Sequence, residues 1–149
     1  SARAKFFEDL SQYKRVESGG KYANNVGGPI QDTMRWMSQC KFVIAYENQS
    51  YNGYITEKPF QAYFAGAIPI YYGDRTAVSD MNPKAIIYAK DFQSNSDLIE
   101  YIKKIDNDDK LYCEIWNQNI VNDSSRNYET VRQELKTKLY KIIDAKLNK

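Results

Sequence analysis

Residues 40–74 read CKFVIAYENQSYNGYITEKPFQAYFAGAIPIYYGD, and this stretch decides the fold. Two runs in it, 40–46 and 67–72, are largely apolar and rich in residues that favour strands. Such runs are typical of strands that are buried on both faces of a parallel sheet. Between them, a polar loop leads into a predicted helix that starts near Thr56, its N-cap, and ends at about Gly66. The order strand, helix, strand predicts a βαβ unit.

The rest of the chain continues this alternation of helical and strand patterns. We predict further helices over 2–13, 32–39 and 108–119, a helix capped by Ser96, a long terminal helix over 128–147, and strands over 14–17 and 85–89. Alternating strands and helices predict an α/β fold with a Rossmann-like parallel sheet flanked by helices. Ligands of such sheets bind beyond the carboxyl ends of the strands, so the loops after Tyr46 and Tyr72 are the expected site.

Composition limits the classes of function. A length of 149 residues suits one domain, 1–149, with a core of its own. The net charge of +2, from 21 basic and 19 acidic residues scattered along the chain, argues against a nucleic-acid partner. No apolar run approaches the roughly 20 residues of a membrane span. Because the chain has no histidine, we expect neither a zinc site nor a Ser-His or Cys-His nucleophile.

The chain has two cysteines, Cys40 and Cys113. Two are too few for a disulfide scaffold in a domain of this size. We therefore expect free thiols in a reducing compartment, and a Cys40–Cys113 bridge is the alternative.

The loop and helix start at 47–58 carry the residues with the clearest chemistry. A helix N-terminus presents free N–H groups and a partial positive charge, which suit a phosphate. Lys58, in the first turn, opposes the helix dipole, and a bound anion would offset that conflict. Glu57 suits sugar hydroxyls, Tyr54 suits a sugar face, and Asn48 both donates and accepts hydrogen bonds. The alternative is that Glu57 and Lys58 form an ordinary solvated pair and Tyr54 only covers the helix start.

Other phosphate-binding and metal-binding patterns are missing from the sequence. The glycine-rich loop 19–28 has neither a G-x-G-x-x-G nor a P-loop motif. No Asp-x-Asp cluster follows a predicted strand, so a metal-bound sugar diphosphate is not indicated. A leaving diphosphate would then be stabilised by cationic side chains and helix N–H groups. The candidate cations are Arg3, Lys58, Arg75 and Lys84.

These segments together resemble the signature of glycosyltransferase family 10, the α-1,3/4-fucosyltransferases. The family's core is a strand ending in F/Y-E-N, then [DG]-Y-[IV]-T-E-K, then a helix that leads to A-x-P-[IV]-x-x-G. Residues 40–74 carry all three pieces in that order. Residues 89–116, AKDFQSNSDLIEYIKKIDNDDKLYCEIW, are similar to the family's downstream segment, and residues 2–20, ARAKFFEDLSQYKRVESGG, to its upstream helix and Gly-rich turn.

The resemblance implies the C-terminal half of a GT-B type glycosyltransferase, which has two Rossmann-like domains and holds GDP-fucose mainly in the C-terminal one. The N-terminal acceptor domain, and a strand before Arg3, are then absent from this sequence. Arg3 matches an arginine that binds the diphosphate, and Asn48, Tyr54, Glu57 and Lys58 match donor-contacting positions. By this resemblance Lys58 faces phosphate, while Glu57 and Tyr54 face hydroxyls of ribose or fucose.

The implied reaction is a single inverting displacement at the anomeric carbon of fucose. It transfers fucose from GDP-fucose to an N-acetylglucosamine hydroxyl of a glycan such as N-acetyllactosamine, on lipopolysaccharide or on a protein. The general base belongs to the N-terminal domain, so we assign none here. Arg3 and Lys58 are catalytic only as stabilisers of the leaving diphosphate, and no cofactor or metal is expected.

Three hypotheses about function stay open at this point. The first is the donor domain of a fucosyltransferase, and the second is a module that binds GDP or GDP-fucose without turnover. The third is a tyrosine-rich domain that binds RNA or glycans, which the scattered charge disfavours. We expect a location in the bacterial cytoplasm, peripheral to the inner membrane, or in the Golgi if the protein is eukaryotic.

Overall fold

The computed structural model describes residues 1–49, 51–78 and 81–122, together with 132–133 and 136–137. The helices of this part are α1 (Ala2–Ser11), α2 (Thr33–Met37), α3 (Lys58–Phe64), α4 (Arg75–Val78), α5 (Asn95–Asp106) and α6 (Asp109–Trp116). The strands are β1 (Phe42–Tyr46), β2 (Ile68–Tyr72) and β3 (Ile87–Tyr88), and a 3-10 turn (Ala89–Asp91) follows β3.

The three strands form one parallel sheet in the order β1-β2-β3. Strands β1 and β2 pair along their whole length, from Phe42 opposite Ile68 to Tyr46 opposite Tyr72. The residues from Ile68 to Tyr71 are all buried, so both faces of β2 are covered. The predicted βαβ unit and the α/β fold with a parallel sheet flanked by helices are therefore confirmed.

Two layers of apolar side chains, one on each face of the sheet, form the core. The first layer joins the strands to α1 and α5, and its buried residues are Phe6, Leu10, Tyr46, Ile68, Ile70, Ile87, Leu98, Ile99, Ile102 and Ile105. The second layer lies on the α3 side, and its buried residues are Ala45, Tyr71, Met81, Ala85, Ile86, Tyr88 and Ile120. Burying each large side chain contributes about 1.5–3 kcal/mol, so these layers hold the strand ends in place.

Helix α3 begins at Lys58, and the prediction of Thr56 as its N-cap is wrong. Glu57 occupies the N-cap position without making a side-chain capping bond. The Thr56 hydroxyl lies 2.7 Å from Oε2 of Glu47, and the Thr56 N–H donates to Oε1 at 2.8 Å. The buried carboxylate of Glu47 therefore binds the Thr56 hydroxyl, which would otherwise be available to cap the helix.

Other predicted boundaries also change. Ser94, not Ser96, caps α5, because its hydroxyl oxygen accepts the N–H of Asp97. The strand predicted over 85–89 is confined to Ile87–Tyr88. The predicted terminal helix over 128–147 lies outside the described residues, except for 132–133 and 136–137, which are helical.

Residues 14–17 do not form the predicted strand. They line a cleft of about 910 Å³, together with Phe42, Val43 and Ile44 of β1. A strand needs a neighbouring strand for its backbone hydrogen bonds, and the cleft separates this segment from β1. The segment is nevertheless fixed at its start, since the Lys14 ammonium pairs with Asp106 at 2.6 Å.

Candidate functional site

The candidate site lies at the carboxyl end of β1, where the start of α1 meets the loop after the strand. Nη2 of Arg3 donates to the carbonyl oxygen of Tyr46 and, at 2.8 Å, to Oδ1 of Asn48. Nε of Arg3 is buried and has no hydrogen-bond partner within the described residues. Buried donors are nearly always paired in proteins, so this N–H indicates a position where an acceptor fits. The structure thus brings Arg3 and Asn48, which are 45 positions apart in the sequence, into direct contact.

An aromatic column fixes the start of α1 at this edge of the sheet. The ring of Phe6, one turn after Arg3, stacks on Tyr46 at 5.2 Å, and Tyr46 stacks on Tyr72 at 5.0 Å. The Lys90 ammonium lies 4.7 Å from the centre of the Tyr72 ring, a cation–π contact. Burial raises the pKa of Tyr46 above its usual value, so the tyrosine is neutral at physiological pH. Sequence reasoning missed this column, although Tyr46 and Tyr72 both end predicted strands.

A buried network joins the same loop to the start of α3. The Glu47 side chain is only 1% exposed, and its Oε2 lies 3.3 Å from Nζ of Lys58. Nζ of Lys58 also lies 2.9 Å from Oγ1 of Thr56, whose hydroxyl contacts both oxygens of Glu47. The unfavourable interaction between the Lys58 charge and the helix dipole is therefore offset by the buried carboxylate of Glu47. The dipole by itself does not require a bound anion, contrary to our expectation.

Glu57 and Tyr54 lie at the exposed side of this network. The Glu57 side chain is 59% exposed, and its Oε1 lies 3.5 Å from Nζ of Lys58. Its own backbone N–H and the Lys58 charge lower the pKa of the Glu57 carboxyl. Tyr54 is half-buried and meets Tyr51 edge to face, with ring centres 6.0 Å apart. Glu57 thus forms the pair with Lys58 that the alternative predicted, and it also leaves most of its carboxylate open to solvent.

Gly53 ties this loop to the loop after β2. Its φ angle of +74° lies in the left-handed region, where glycine is favoured. Its N–H donates to Oδ1 of Asp74 at 3.1 Å and to Oγ1 of Thr76 at 2.8 Å. The loops after β1 and β2 are therefore joined, as expected for a site at the carboxyl edge of the sheet.

Two of the four candidate cations do not contribute to this arrangement. Arg75 follows β2, but its guanidinium pairs with Asp91 and lies 4.9 Å from the centre of the Tyr88 ring. Lys84 is exposed in the turn before β3, and the start of a parallel strand lies at the opposite edge of the sheet from Tyr46. Arg3 and Lys58 therefore remain of the four candidate cations.

The structure also bears on the thiols, metals and the membrane. Cys40 and Cys113 are both free, as predicted. Within the part of the chain that the structure describes, no three acidic, cysteine or histidine side chains gather in a way that could hold a metal ion. None of the helices seen there has both the length and the apolar character to cross a bilayer.

Comparison with known proteins identifies the family. The family model described as glycosyltransferase family 10 (fucosyltransferase), C-terminal, matches residues 1–144. The chain belongs to glycosyltransferase family 10. The resemblance inferred from residues 40–74 is thereby confirmed.

Relatives within the family include bacterial and mammalian enzymes. The alpha-(1,3)-fucosyltransferase FucT of Helicobacter pylori is 33% identical over 120 residues, which cover 80% of this chain and 25% of that protein. The 4-galactosyl-N-acetylglucosaminide 3-alpha-L-fucosyltransferase 9 of Mus musculus is 32% identical over 122 residues, which cover 78% of this chain and 33% of that protein. The chain therefore spans a quarter to a third of the length of these relatives.

Solved structures of fucosyltransferases share the fold. The crystal structure of an alpha1,3-fucosyltransferase with GDP-fucose superposes with a TM-score of 0.80 at 32% identity, over 83% of this chain and 37% of that one. A structure with GDP matches with the same TM-score. The Rossmann-like sheet of this chain is thus the fold of the GT-B fucosyltransferases.

Proposed function

We propose that this chain is the GDP-fucose-binding domain of an inverting fucosyltransferase. The complete protein would transfer fucose from GDP-fucose to an N-acetylglucosamine hydroxyl of a glycan. The observation that carries the proposal is the contact of Arg3 with Asn48 at the carboxyl end of β1, directly after Glu47, which pairs with Lys58. Two cations held by neighbouring residues of one loop suit a diphosphate, and the match to a fucosyltransferase structure with GDP-fucose supports the choice of nucleotide sugar.

Four of the five predicted residues are given a direct role toward the donor in this proposal. Nε of Arg3 donates to a diphosphate oxygen, while Nη2 keeps its bond to the Tyr46 carbonyl. Lys58, held by the buried Glu47, adds a second positive charge at the start of α3. Glu57 accepts hydrogen bonds from hydroxyls of ribose or fucose, and Tyr54 contacts the same part of the donor.

These groups account for the leaving-group side of the reaction. As the bond between fucose and GDP breaks, negative charge grows on the diphosphate, and fixed cations stabilise it without reorganising. A base must also remove a proton from the acceptor hydroxyl, and we assign no residue here to that task. In our proposal the base and the acceptor glycan belong to a domain outside these 149 residues.

A second candidate is a module that binds GDP-fucose without turnover. Its specific support is that we assign no general base within these 149 residues, whose match covers 25% of the Helicobacter pylori protein. We therefore expect no fucose transfer to N-acetyllactosamine by this chain alone. Transfer of labelled fucose at a measurable rate would show that the base lies within the chain and would exclude this second candidate.

Calorimetric titration tests the proposed donor. GDP-fucose is expected to bind more tightly than GDP-mannose or UDP-galactose, because the site is proposed to contact the sugar as well as the diphosphate. Equal affinity for the three nucleotide sugars would overturn the assignment.

The free thiols of Cys40 and Cys113 support a reducing location such as the bacterial cytoplasm, which fractionation of the source cells would test.

A further inference from the structure

We propose that Glu57 makes the site discriminate against GDP in favour of the sugar-loaded donor. This inference rests on the proposed function, because it concerns the same donor site. It adds a second role for Glu57, namely competition with the diphosphate for Lys58.

An ammonium group has three N–H donors, and Nζ of Lys58 has three oxygen partners in the structure. They are Oγ1 of Thr56 at 2.9 Å, Oε2 of Glu47 at 3.3 Å and Oε1 of Glu57 at 3.5 Å. The Thr56 contact is a hydrogen bond, and the two glutamate contacts are ion pairs. A phosphate that binds Lys58 therefore competes with the two glutamates for the ammonium.

The partners differ in how easily they can leave. The Glu47 side chain is 1% exposed and is also held by the N–H and hydroxyl of Thr56. Moving it would leave a buried carboxylate without its hydrogen bonds, which is costly. The Glu57 side chain is 59% exposed, has the longest contact of the three and makes no helix-capping bond. Glu57 is therefore the partner that a phosphate displaces.

The displaced carboxylate remains next to the bound diphosphate. Glu57 precedes Lys58 in the chain, and its pKa is lowered, so it is ionised at physiological pH. Bound GDP then places like charges close together, and the complex also lacks the Lys58–Glu57 pair. Of the two sets of hydroxyls that the proposed function allows, we assign those of fucose to Glu57, so a sugar on the diphosphate changes this balance by donating to the freed carboxylate. Glu57 thus penalises GDP, while the fucose hydroxyls offset that penalty in GDP-fucose.

The consequence concerns the product of the reaction. GDP is what remains after fucose leaves, so the penalty acts on the product complex and favours GDP release. Specificity of this kind combines an attractive contact to one ligand with a repulsive element against another.

The test is calorimetric titration of GDP and GDP-fucose into the full 149-residue chain and its Glu57→Gln variant. We expect the variant to bind GDP about two- to fivefold more tightly, since an exposed ion pair is worth that much in affinity. It should bind GDP-fucose about tenfold more weakly, since a hydrogen bond to a charged acceptor is lost. Unchanged or weaker GDP binding, or GDP-fucose binding that does not weaken, would overturn the inference.

Glu100→Gln is the matched control. Glu100 is also an exposed carboxylate paired with a lysine, Lys103, at 2.7 Å, but it lies on α5. This variant removes the same charge from the chain, and we expect both affinities to stay within twofold of the wild-type values. Equal effects of the two variants would mean that net charge, rather than the position of Glu57, sets the preference.

A second comparison separates this inference from the proposed function. In a Lys58→Ala background, Glu57→Gln should no longer tighten GDP binding, because the ammonium for which Glu57 and the diphosphate compete is gone. If Lys58→Ala leaves GDP affinity unchanged, the proposed donor site itself is wrong. If Lys58→Ala weakens GDP binding but Glu57→Gln does not tighten it, only the role of Glu57 is wrong.

Discussion

The two ends of β1 both carry a buried carboxylate that is paired with lysine, yet they differ in what they leave unpaired. At the amino end, Asp106 is 6% exposed at its side chain. It accepts from the hydroxyl of Tyr13 at 2.9 Å and from Lys14 at 2.6 Å, and Nζ of Lys41 lies 3.6 Å away. These contacts tie the ends of α1 and α5 to the start of β1.

At the carboxyl end, Glu47 pairs with Lys58, and a second cation, Arg3, contacts no carboxylate of the residues that the structure describes. Arg3 donates to the Tyr46 carbonyl and to Asn48, and its Nε is buried without a partner in the described part of the chain. A buried ion pair alone therefore does not mark a site. Beside the Glu47–Lys58 pair, Nε of Arg3 adds a buried donor that no described group satisfies, and our proposal assigns it to an anion.

Lys58→Ala should produce the largest change and should act on both binding and stability. Loss of a charge-assisted contact to the diphosphate predicts about 10- to 100-fold weaker GDP binding. The variant also leaves Glu47 buried with Thr56 as its remaining described partner, which predicts a loss of about 1–3 kcal/mol in the free energy of unfolding. Calorimetry and urea unfolding measure the two effects.

Lys103→Ala is the control for this variant, since Lys103 pairs with an exposed glutamate on α5. We expect it to leave GDP affinity unchanged. A Lys58→Ala chain that unfolds more easily but binds GDP normally would mean that Lys58 is only structural.

Asp106→Asn should affect stability alone. The amide keeps the shape of the side chain but loses the charge that pairs with Lys14 and Lys41. Both lysines reach solvent, so we expect a loss of about 1–2 kcal/mol, below that of a fully buried pair. Urea unfolding measures the loss, and calorimetry should give the wild-type affinity for GDP. A clear loss of GDP affinity would contradict the view that the amino end of β1 is only structural and that the carboxyl end binds GDP.

The same residue predicts a pH dependence. Burial acts to raise the pKa of Asp106, but hydrogen bonds from Lys14 and Tyr13 outweigh it and hold the pKa below its usual value. A lowered pKa in the folded state contributes stability above the unfolded value of about 3.9. That contribution is lost as the pH falls through the folded pKa. Unfolding measured from pH 6 down to acid should therefore show a shallower loss of stability in Asp106→Asn than in wild type, and parallel curves would contradict the shift.

Tyr54→Phe should produce the smallest effect. It removes one hydroxyl from a half-buried ring and keeps the edge-to-face contact with Tyr51. A single neutral hydrogen bond is worth about 0.5–1.5 kcal/mol, so we expect about 2- to 10-fold weaker binding of GDP-fucose. Tyr22→Phe is the control, because Tyr22 is an exposed tyrosine outside the proposed site, whose hydroxyl donates to Glu8. An equal effect of both variants would remove Tyr54 from the site.

Much of the fold follows from local sequence pattern. The continuous apolar runs of β1 and β2 predicted both strands to within two residues, because burial on both faces allows no polar position. The prediction of a strand over 14–17 was wrong, because a strand depends on a neighbouring strand that local sequence does not reveal. The prediction of Thr56 as an N-cap was wrong for a similar reason, since the partner of Thr56, Glu47, lies nine residues earlier.

Less of the candidate site than of the fold could be predicted from the sequence. The family motif gave Arg3, Asn48, Tyr54, Glu57 and Lys58, but it gave no contacts between them. The dipole argument for Lys58 overlooked Glu47, because only the folded chain shows that this carboxylate is buried beside the ammonium. The contact of Arg3 with Asn48 depends on where α1 meets the sheet, which an aromatic column fixes through tertiary stacking.

The most direct test of the central claim is calorimetric titration of GDP into Arg3→Ala, with Arg15→Ala as control. Arg15 is an exposed arginine that donates to the carbonyl oxygen of Asn25. If the carboxyl end of β1 is the diphosphate site, Arg3→Ala binds GDP at least tenfold more weakly, while Arg15→Ala binds it as wild type does. Wild-type affinity in Arg3→Ala, with its fold intact by circular dichroism, would contradict the account.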